Sequence, residues 1–546
     1  MKNKQIYFNE DGRNKLLKGI KKMAGAVKST LGPSGNTVLI ESEEHLRGIT
    51  VTKDGVTVAK SVALKDPVED LAVRIMREAS ERTATQAGDG TTTAVVIAEA
   101  LVEQGTKGLT AQAEYVNRTE VLRWMVELTK EAVKIIKKQA KKVTKKTLRD
   151  VAIISANNDK DIGGLIADAF MEVGESGIVT VELSQGSETT YSATNGIKVD
   201  RGYTSPLFVN NRKKDECIFE DVHILVSDAE ISNILQVETI LKPIIQEQKK
   251  LLIIAPCSGN VTNTLAANVM KNGLKICNIQ PPSFGYKQHE LMEDIALSVG
   301  ATYFSEKTGD DLSLISFNDL GMASKIIVGR DSTIIIKDDI EDNAQVTERV
   351  AQLREALAET NNVAERRHIE NRIASLCGGI GVISVGGATD LEQKELYDRV
   401  DDAVCAVKSA MEEGILAGGG LVLYRIAALF MEKWQQFEPD YKDRMDEFDK
   451  HLAYAILADG MKMPMFQIHE NAGTFDKMIK APTPFEDEKE WYTHGMNAKS
   501  GEYGDLIKMG VIDPAKVTRC ALENAVSVAT TILSTNAIVT VDESNR

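Results

Sequence analysis

The sequence predicts a multidomain protein in which mostly α-helical regions at both ends of the chain flank a mixed α/β region. The chain has 546 residues, which is too long for a single hydrophobic core. Apolar residues recur at helical spacing near the N-terminus and again through the final third. The middle third, residues 195–380, mixes strands such as 251–255 with helices such as 346–360 and 362–376, an alternation that is typical of α/β domains.

The N-terminal region predicts a helix over residues 13–29, where apolar residues fall on one face and Gly32 and Pro33 end the periodic run. The segments that follow predict a strand at 36–41, its hairpin-like return at 49–53, a partially alternating, strand-like segment at 56–62, and helices at 66–85 and 95–147.

Further along, the pattern predicts strands within 178–200, a glycine-bracketed strand at 378–387, an acidic helix at 391–414, an apolar segment at 421–429 and a last strand at 535–541. The glycines around 378–387 superficially match a dinucleotide-binding fingerprint, but Ser384 stands where its third glycine belongs. We interpret this segment as a hinge strand, with a dinucleotide oxidoreductase as the alternative. No G-x-x-x-x-G-K-[S/T] motif occurs, which excludes a P-loop enzyme.

Composition and charge exclude several classes of protein. The net charge is −15 and no basic stripe dominates, which argues against a nucleic-acid binder. The six cysteines include no C-x-x-C pair, which excludes a zinc ribbon or thioredoxin-like site and fits a reducing compartment. The first ten residues lack a signal-peptide core, and no apolar stretch could span a bilayer. We therefore expect a cytoplasmic protein with neither nucleic acid nor membrane as partner.

The segment Gly88-Asp89-Gly90-Thr91-Thr92-Thr93-Ala94 carries the strongest chemical signal in the sequence. Glycines let backbone amides approach a ligand closely, and threonines before an apolar run are typical of a helix N-terminus, which favours phosphate. Asp89 supplies the hard oxygen that Mg²⁺ needs beside a polyphosphate. The alternative is an ordinary capped helix after a glycine turn.

Six motifs occur together in one order along the chain: Thr30-Leu31-Gly32-Pro33, Lys53-Asp54-Gly55, Gly88 to Thr93, Val400-Asp401-Asp402-Ala403, Gly418-Gly419-Gly420, and Tyr503-Gly504 through Asp513-Pro514. In this order they resemble the chaperonins, specifically the group I (GroEL-like) branch, over nearly the whole chain. The resemblance implies an ATP hydrolase that forms a homo-oligomeric ring, seven-fold in the family, as one ring or two. Such a ring binds non-native proteins and assists their folding by encapsulation.

The resemblance also implies three domains. The mostly α-helical equatorial domain would comprise 1–137 and 413–546, the α/β intermediate hinge domain 138–194 and 381–412, and the α/β apical domain 195–380.

Nucleotide, magnesium and potassium sites follow from the resemblance as well. Asp89 would hold Mg²⁺, and Lys53 and Thr92 would lie near a K⁺ ion. The residues expected around ATP are Thr30, Leu31, Gly32, Pro33, Lys53, Gly90, Thr91, Thr92, Thr93, Ser155, Gly419, Ile468, Asn497, Ala498 and Asp513.

Catalysis is expected to depend on Asp402, helped by Asp54. In the family pattern Asp402 would arrive from the intermediate domain and orient the attacking water, because phosphoryl transfer needs mainly positioning and charge stabilisation. Without the resemblance, Asp402 would be interpreted as a solvated acid on an acidic helix.

Apolar residues of the expected apical domain are candidates for contact with client proteins, since apolar grooves bind unfolded chains. Ile234 to Leu241 are expected to form one groove helix, and Val261 to Met270 a neighbouring, more polar one. The alternative is that these residues are ordinary core. The candidate client contacts are Tyr203, Leu207, Phe208, Ile234, Val237, Leu241 and Leu265.

The chain also departs from the family pattern in its late equatorial region. Extra material lies around 434–450 and 482–491, and Lys499 stands where the family usually has a small residue. These insertions motivate the hypothesis that contact between rings is altered or absent, and they leave use of a co-chaperonin doubtful. A second function is therefore kept open, namely a chaperonin-like holdase or scaffold with weak or decoupled ATP hydrolysis.

Overall fold

The computed structural model describes residues 4–41, 49–174, 178–184, 186–212, 214–337, 344–360, 362–377, 379–436, 445–481 and 488–541. The chain divides into two compact units. The first, here called the helical unit, comprises 1–167, 183–189 and 385–546, and the second, the sheet unit, comprises 168–182 and 190–384. The division into three domains at the boundaries given above stays a prediction.

The helices, numbered in chain order, are α1 (Asn9–Lys28), α2 (Gly55–Ser61), α3 (Pro67–Ala87), α4 (Thr91–Ala111), α5 (Arg118–Gln139), α6 (Lys145–Ser155), α7 (Lys160–Val173), α8 (Glu238–Gln246), α9 (Gly259–Asn272), α10 (Tyr286–Val299), α11 (Ala344–Glu359), α12 (Val363–Cys377), α13 (Asp390–Glu413), α14 (Leu421–Gln435), α15 (Met445–Asn471), α16 (Phe475–Ile479), α17 (Glu488–Trp491) and α18 (Ala515–Ser534).

The strands are β1 (Lys4–Phe8), β2 (Val38–Glu41), β3 (Ile49–Thr52), β4 (Ile178–Leu183), β5 (Thr190–Val199), β6 (Cys217–Ser227), β7 (Lys250–Ile254), β8 (Ile276–Ile279), β9 (Tyr303–Phe304), β10 (Gly321–Val328), β11 (Thr333–Lys337), β12 (Gly379–Val385), β13 (Ile415–Ala417), β14 (His494–Met496), β15 (Tyr503–Asp505), β16 (Ile512–Pro514) and β17 (Ala537–Val541).

The helical unit is built around long helices that pack on one another. Helix α4 contacts α1, α3, α15 and α18, and its residues Ile97 and Leu101 are fully buried. The predicted apolar face of the first helix is confirmed, because Ile20, Met23 and Val27 are buried in the same core. Burial of each such side chain contributes about 1.5–3 kcal/mol.

In the described part of this unit, four pairs of antiparallel strands complete the structure: β1 with β17, β2 with β3, β13 with β16, and β14 with β15. The predicted hairpin of residues 36–53 is therefore confirmed as β2 and β3. The pair β13–β16 brings Leu416 opposite Asp513, so two distant chain segments meet at the strand that carries a predicted nucleotide residue.

One prediction about the N-terminal region is wrong. Residues 56–62, whose partial alternation resembled a strand, lie largely in helix α2, because Asp54 caps its first turn by accepting hydrogen bonds from the amides of Val56 and Thr57. Residues 95–147 are mostly helical, as predicted, but they form more than one helix: α4 ends at Ala111, and α5 begins after Asn117, whose side chain accepts from Thr119 N.

The sheet unit confirms the predicted α/β pattern of the middle third. Its mixed sheet has the order β4-β12-β5-β11-β10-β6-β7-β8, with β9 paired to β6. Strands β6, β7 and β8 are parallel, and the pairs from β12 through β6 are antiparallel. Buried residues of the parallel strands, such as Ile224, Leu252 and Ile254, share a core with Ile240 and Ile244 of α8.

Parts of the predicted insertions lie outside the described residues, namely 437–444 and 482–487. The hypothesis that they alter contact between rings therefore stays a prediction. Among the helices of the described ranges, none is both long enough and apolar enough to cross a membrane.

Candidate functional site

The glycine–threonine segment forms a tight turn between α3 and α4. Gly88 ends α3 at a φ of 73°, and Gly90 precedes α4 at a φ of 81°, a left-handed conformation that favours glycine. Asp89 lies between them, and one of its carboxylate oxygens accepts a hydrogen bond from Gly90 N. Thr91 and Thr92 form the buried first turn of α4, where the first amides have no acceptor within the helix. The turn therefore places a carboxylate beside a helix N-terminus, as predicted.

The Lys53-Asp54-Gly55 segment packs directly on this helix N-terminus. A Cβ atom at Gly55 would lie 2.0 Å from Thr92 Oγ1, so only a glycine fits there. Both carboxylate oxygens of Asp54 are engaged: Oδ1 accepts from Val56 N at 3.0 Å, and Oδ2 accepts from Thr57 N at 2.9 Å and from Thr57 Oγ1 at 2.7 Å. Asp54 is thus oriented by α2, while Lys53 is exposed.

Helix α13 brings Asp402 to the same place. A Cβ atom at Gly88 would lie 2.1 Å from the Cβ of Cys405, which lies one turn after Asp402 on the same helix. Asp402 is half-buried, and desolvation raises the pKa of its carboxyl well above the usual range, with further increases from Asp89 and Asp54 and from two acids of its own helix, Asp398 and Asp401. The charged groups that act on it most strongly are all carboxylates.

Asp513 on β16 forms the fourth member of this group. A Cβ atom at Gly418 would lie 3.0 Å from Asp513 Oδ1, and Gly420 N donates to Asp513 Oδ2 at 3.5 Å. The pKa of Asp513 is raised to about 6, mainly by burial and also by the charge of Asp89, although the amides of Gly420 and Gly419 act in the opposite direction. The triple glycine therefore wraps around this carboxylate.

Asp54, Asp89, Asp402 and Asp513 together form what we call the acid cluster. Desolvation raises the pKa of Asp89, as does the charge of Asp54, and Asp89 in turn acts on both Asp402 and Asp513. Like charges this close favour occupation by a cation.

The acid cluster fits a magnesium ion if phosphate oxygens supply part of its coordination. Within the described ranges, no three His, Cys, Asp or Glu side chains converge closely enough to hold a metal ion by themselves. Mg²⁺ is usually bound through one or two carboxylates together with phosphate oxygens and waters. Asp89 beside the amides of α4 is suited to that mode, in which the ion and a phosphate group are held together.

The loop after α1 is fixed by the end of α15. Asn471 Nδ2 donates to the carbonyl oxygens of Lys28 and Leu31, both at 2.9 Å. Gly32, at a φ of 86°, passes so close to Ile468 that a Cβ atom would lie 3.1 Å from Ile468 Cγ2. The structure thus brings Gly32 and Ile468 together, as the resemblance implied. Thr30 is buried, Leu31 is half-buried, and Gly32 and Pro33 are exposed.

Four predicted residues lie on elements around these loops. Ser155 is the half-buried last residue of α6, which packs on α13 and β16. Asn497 and Ala498 lie in the turn between β14 and β15, where Asn497 Oδ1 accepts from Lys499 N at 2.9 Å. Thr93 is half-buried in the first turn of α4. The assignment of these four to the nucleotide stays a prediction.

The predicted client contacts belong to the sheet unit, and most of them are core residues. Phe208, Val237, Leu241 and Leu265 are buried in its hydrophobic core, where they pack the short helices and present no surface to a client. Tyr203 and Ile234 are half-buried, and Leu207 is exposed. The expected single groove helix is wrong, because Ile234–Val237 form a 3₁₀ turn capped by Asn233 and α8 begins at Glu238.

Two features of the site were missed by reasoning from the sequence. The packing roles of Gly55 and Gly88 depend on the partners Thr92 and Cys405, which only the fold brings close. Asn471, which holds the loop after α1, gave no signal because a single asparagine near the end of a helix is common. Cys405 could have been found, since it lies three residues after Asp402 and therefore on the same helix face.

Comparison with known proteins agrees with the predicted fold. The chaperonin gp146 from the bacteriophage EL 2 (Pseudomonas aeruginosa), solved in the presence of ATP-BeFx, has a similar structure in two crystal forms. Form II gives a TM-score of 0.69 at 23% sequence identity and form I a TM-score of 0.63 at 22%, each covering 98% of this chain and 99% of that chain. The predicted chaperonin fold is thereby confirmed.

A family model matches this chain over residues 23–235 and 234–543. The match spans both the acid cluster of the helical unit and most of the sheet unit. The chain belongs to the TCP-1/cpn60 chaperonin family.

Proposed function

We propose that this protein is an ATP-dependent chaperonin that forms rings, binds non-native proteins and assists their folding by encapsulation, driven by binding and hydrolysis of Mg-ATP. The observation that carries the proposal is the acid cluster, in which the turn that holds Asp89 packs against the helix that carries Asp402 and the charge of Asp89 raises the pKa of Asp402. Family membership and a structural neighbour solved with ATP-BeFx also support it.

The nucleotide would be held by several loops of the helical unit. The turn at Gly88–Gly90 and the first amides of α4 would bind the phosphates, since helix N-termini bind anions. Gly419 and Asp513, joined by the triple-glycine contact, would bind the nucleoside, and Ile468 beside Gly32 would pack on its base. The cofactors would be Mg²⁺ at Asp89 and K⁺ near Lys53 and Thr92.

Asp402 would act as the base that orients the attacking water and receives its proton. A base works best when its pKa lies near the working pH, and its buried, like-charged surroundings raise the pKa of Asp402 in that direction. Mg²⁺, when bound, would neutralise charge on the phosphates. Asp54, whose oxygens are engaged by α2, would act by fixing the negative potential around Asp402.

A second function is favoured by the burial in the sheet unit. Phe208, Val237, Leu241 and Leu265 lie in the core, so the apolar surface for clients in this structure is smaller than the sequence pattern implied. A smaller apolar surface is compatible with a scaffold whose ATP hydrolysis is weak or decoupled, and it disfavours a holdase, which binds unfolded chains through such a surface.

Phosphate release, measured with and without an unfolded client protein, distinguishes the two functions. For an ATP-driven chaperonin we expect wild-type turnover to respond to the client and to exceed that of Asp402→Ala by about 10²–10⁴-fold, as for removal of a general base. Asp390→Ala is the matched control, since this exposed acid begins the same helix and should keep wild-type turnover. Equal rates for wild type and Asp402→Ala would support the scaffold instead.

Electron microscopy of the same preparations, with and without ATP, tests assembly. We expect rings whose domains move on addition of ATP. Particles without ring symmetry would contradict the proposed assembly, and two back-to-back rings with ordinary spacing would contradict altered ring contact.

A further inference from the structure

Ser409 joins helix α13 to the end of α3 through a buried hydrogen bond. Its hydroxyl donates to the carbonyl oxygen of Ala87 at 2.9 Å, and the side chain is only 3% exposed. Ala87 is the last residue of α3, so its carbonyl oxygen has no amide donor within that helix. The serine therefore satisfies a buried acceptor at the point where the chain leaves α3 for the turn that carries Asp89.

The partner of this hydroxyl distinguishes it from other buried hydroxyls of the helical unit. Thr83 and Thr129 each donate to the carbonyl oxygen four residues earlier in their own helix. Such an internal bond is a common arrangement for a hydroxyl group within a helix, and it connects no second element. Ser409 donates to a different helix, so its hydrogen bond restrains the position of α13 relative to α3.

One face of α13 lies along the turn that follows α3. Asp402, Cys405 and Ser409 are spaced by three and four positions and therefore share this face. Ser409 is bonded to the last residue of α3, and Cys405 packs on Gly88, the next residue of the chain. The charge of Asp89, which follows Gly88, raises the pKa of Asp402. The placement of this face on the turn therefore affects where the carboxyl group of Asp402 lies.

The two contacts restrain α13 in opposite directions. The packing of Cys405 on Gly88 prevents a closer approach of the helix, because a Cβ atom at Gly88 would lie 2.1 Å from the Cβ of Cys405. The hydrogen bond of Ser409 opposes separation and rotation of the helix, since such a bond weakens steeply as donor and acceptor move out of line. Together they define both limits of the distance between α13 and the turn.

Ion pairs at the C-terminal end of α13 do not replace this hydrogen bond. Glu412 Oε2 accepts from Lys516 Nζ at 2.6 Å. Glu413 Oε2 accepts from Arg519 Nε at 2.9 Å. These side chains are partly exposed to water, where ion pairs contribute little to stability. They attach the last turn of α13 to α18, whereas Ser409 attaches the helix to the end of α3.

We infer that Ser409 is a positioning residue for ATP hydrolysis, whose hydroxyl holds α13 on the end of α3 and thereby keeps Asp402 beside Asp89. The inference rests on the proposed function, because it concerns the placement of the proposed base. Ser409 is assigned no contact with the nucleotide and acts only through Asp402. Since a displacement of about 1 Å can lower the rate of an enzyme by about 10²-fold, loss of this hydrogen bond should be visible in turnover.

Two measurements on the full-length protein test the inference: phosphate release at saturating ATP, and ATP affinity by calorimetry. We expect Ser409→Ala to lower turnover by about 10- to 100-fold, because Asp402 is misplaced. Its ATP affinity should stay within about twofold of wild type, because no interaction with the nucleotide is removed. Ser409→Thr, which keeps a hydroxyl donor, should retain most of the turnover.

A double variant separates this positioning role from a general structural one. If Ser409 acts through Asp402, adding Ser409→Ala to Asp402→Ala should change turnover by no more than about twofold, because the positioned group is already absent. Thr129→Val is the matched control, since it removes a buried hydroxyl that is bonded within α5, and it should keep wild-type turnover.

The folded fraction of each variant, measured by urea unfolding, allows turnover to be expressed per folded molecule. If Ser409→Ala does not fold, Ser409→Cys takes its place. The thiol is a weaker hydrogen-bond donor than the hydroxyl, so this variant should show a smaller loss of turnover at unchanged ATP affinity.

Several outcomes would overturn the inference. One is equal turnover of wild type and Ser409→Ala, and another is an equal loss on adding Ser409→Ala in the presence and absence of Asp402. A loss of ATP affinity as large as the loss of turnover would also contradict it. If wild type and Asp402→Ala release phosphate at the same rate, the proposed function itself fails. That result is distinguishable, because in the other cases wild type still exceeds Asp402→Ala.

Discussion

Gly88 and Cys405 touch so closely that a Cβ atom at Gly88 would lie 2.1 Å from the Cβ of Cys405. The contact joins the turn that carries Asp89 to the helix that carries Asp402. Since Cys405 lies one helical turn after Asp402, this packing sets how near the two carboxylates come. A single glycine thereby couples a proposed metal ligand to a proposed base.

Gly88→Ala tests that coupling. We expect a less stable protein, by about 1–3 kcal/mol, because Gly88 has a φ of 73° and the new methyl group would overlap Cys405. The rate of ATP hydrolysis should fall by more than the loss of folded protein explains. The new methyl group would push α13, which carries Asp402, away from the turn that carries Asp89. Phosphate release compared with the free energy of unfolding separates the two effects.

Gly174→Ala is a suitable control for the Gly88 variant. Gly174 also has a positive φ, of 76°, but a Cβ atom there would meet nothing within 4 Å. It should lose stability through backbone strain alone and keep its turnover. Similar turnover in the two variants would argue against the role of the Gly88–Cys405 contact.

Asp54 is expected to have two roles, as a helix cap and as part of the acid cluster. Asp54→Ala should cost about 0.5–2 kcal/mol of stability, the usual range for loss of an N-cap, and should also lower ATP turnover. Asp66→Ala is the matched control, because Asp66 caps α3 through the amides of Val68 and Glu69. If Asp54→Ala and Asp66→Ala lose the same free energy of unfolding and the same ATP turnover, Asp54 acts only as a helix cap.

The stability of the nucleotide-free protein should depend on pH through Asp513. Its pKa is about 6 in the folded protein, against an ordinary value of 3.8. The folded state therefore binds more protons than the unfolded state between these values, so stability should fall as pH rises from about 4 to 6. The loss is at most about 3 kcal/mol, at 1.36 kcal/mol per pKa unit.

Asp513→Asn removes this titration while keeping an acceptor for Gly420 N. Urea unfolding at pH 4 to 7 should show a smaller decrease for the variant than for wild type, so that the variant is the more stable protein above pH 6. Asp505→Asn provides the control, since Asp505 caps a turn through Ile507 N. Parallel pH dependence of wild type and Asp513→Asn would contradict the expectation.

Leu235 and Val237 lie two residues apart and allow an exposed and a buried apolar side chain to be compared in a test of client binding. Leu235 is 63% exposed, whereas Val237 is fully buried. We expect Leu235→Ser to weaken capture of an unfolded protein with little change in stability, because it removes exposed apolar surface. Val237→Ala should cost about 2 kcal/mol of stability, from lost burial and a cavity. Unchanged capture by Leu235→Ser would show that clients bind elsewhere.

Much of the fold follows from local pattern, and the exceptions have local causes. The apolar face of 13–29 predicted α1 because helical periodicity and burial coincide there. The prediction of a strand-like segment at 56–62 was wrong. It followed from valines that alternate with polar residues, but Asp54 caps this segment as a helix. The pattern of apolar residues indicates which side chains are buried. Here the capping hydrogen bonds of Asp54 determine that the backbone is helical.

The candidate site could be predicted only in part, for a different reason. The acids Asp89 and Asp402 were identified by their motifs, since glycine-flanked and paired acids form recognisable patterns. Burial of Phe208 or Val237 depends on which helix covers them, and no short pattern encodes that.

Asp89 is proposed to hold magnesium beside a bound triphosphate. The most direct measurement is ATP affinity with Mg²⁺ and with a chelator, for wild type, Asp89→Ala and Asp402→Ala. We predict that Mg²⁺ tightens binding for wild type and Asp402→Ala, and that Asp89→Ala loses this gain. An Asp89→Ala protein that gains as much affinity from Mg²⁺ as wild type would contradict the account.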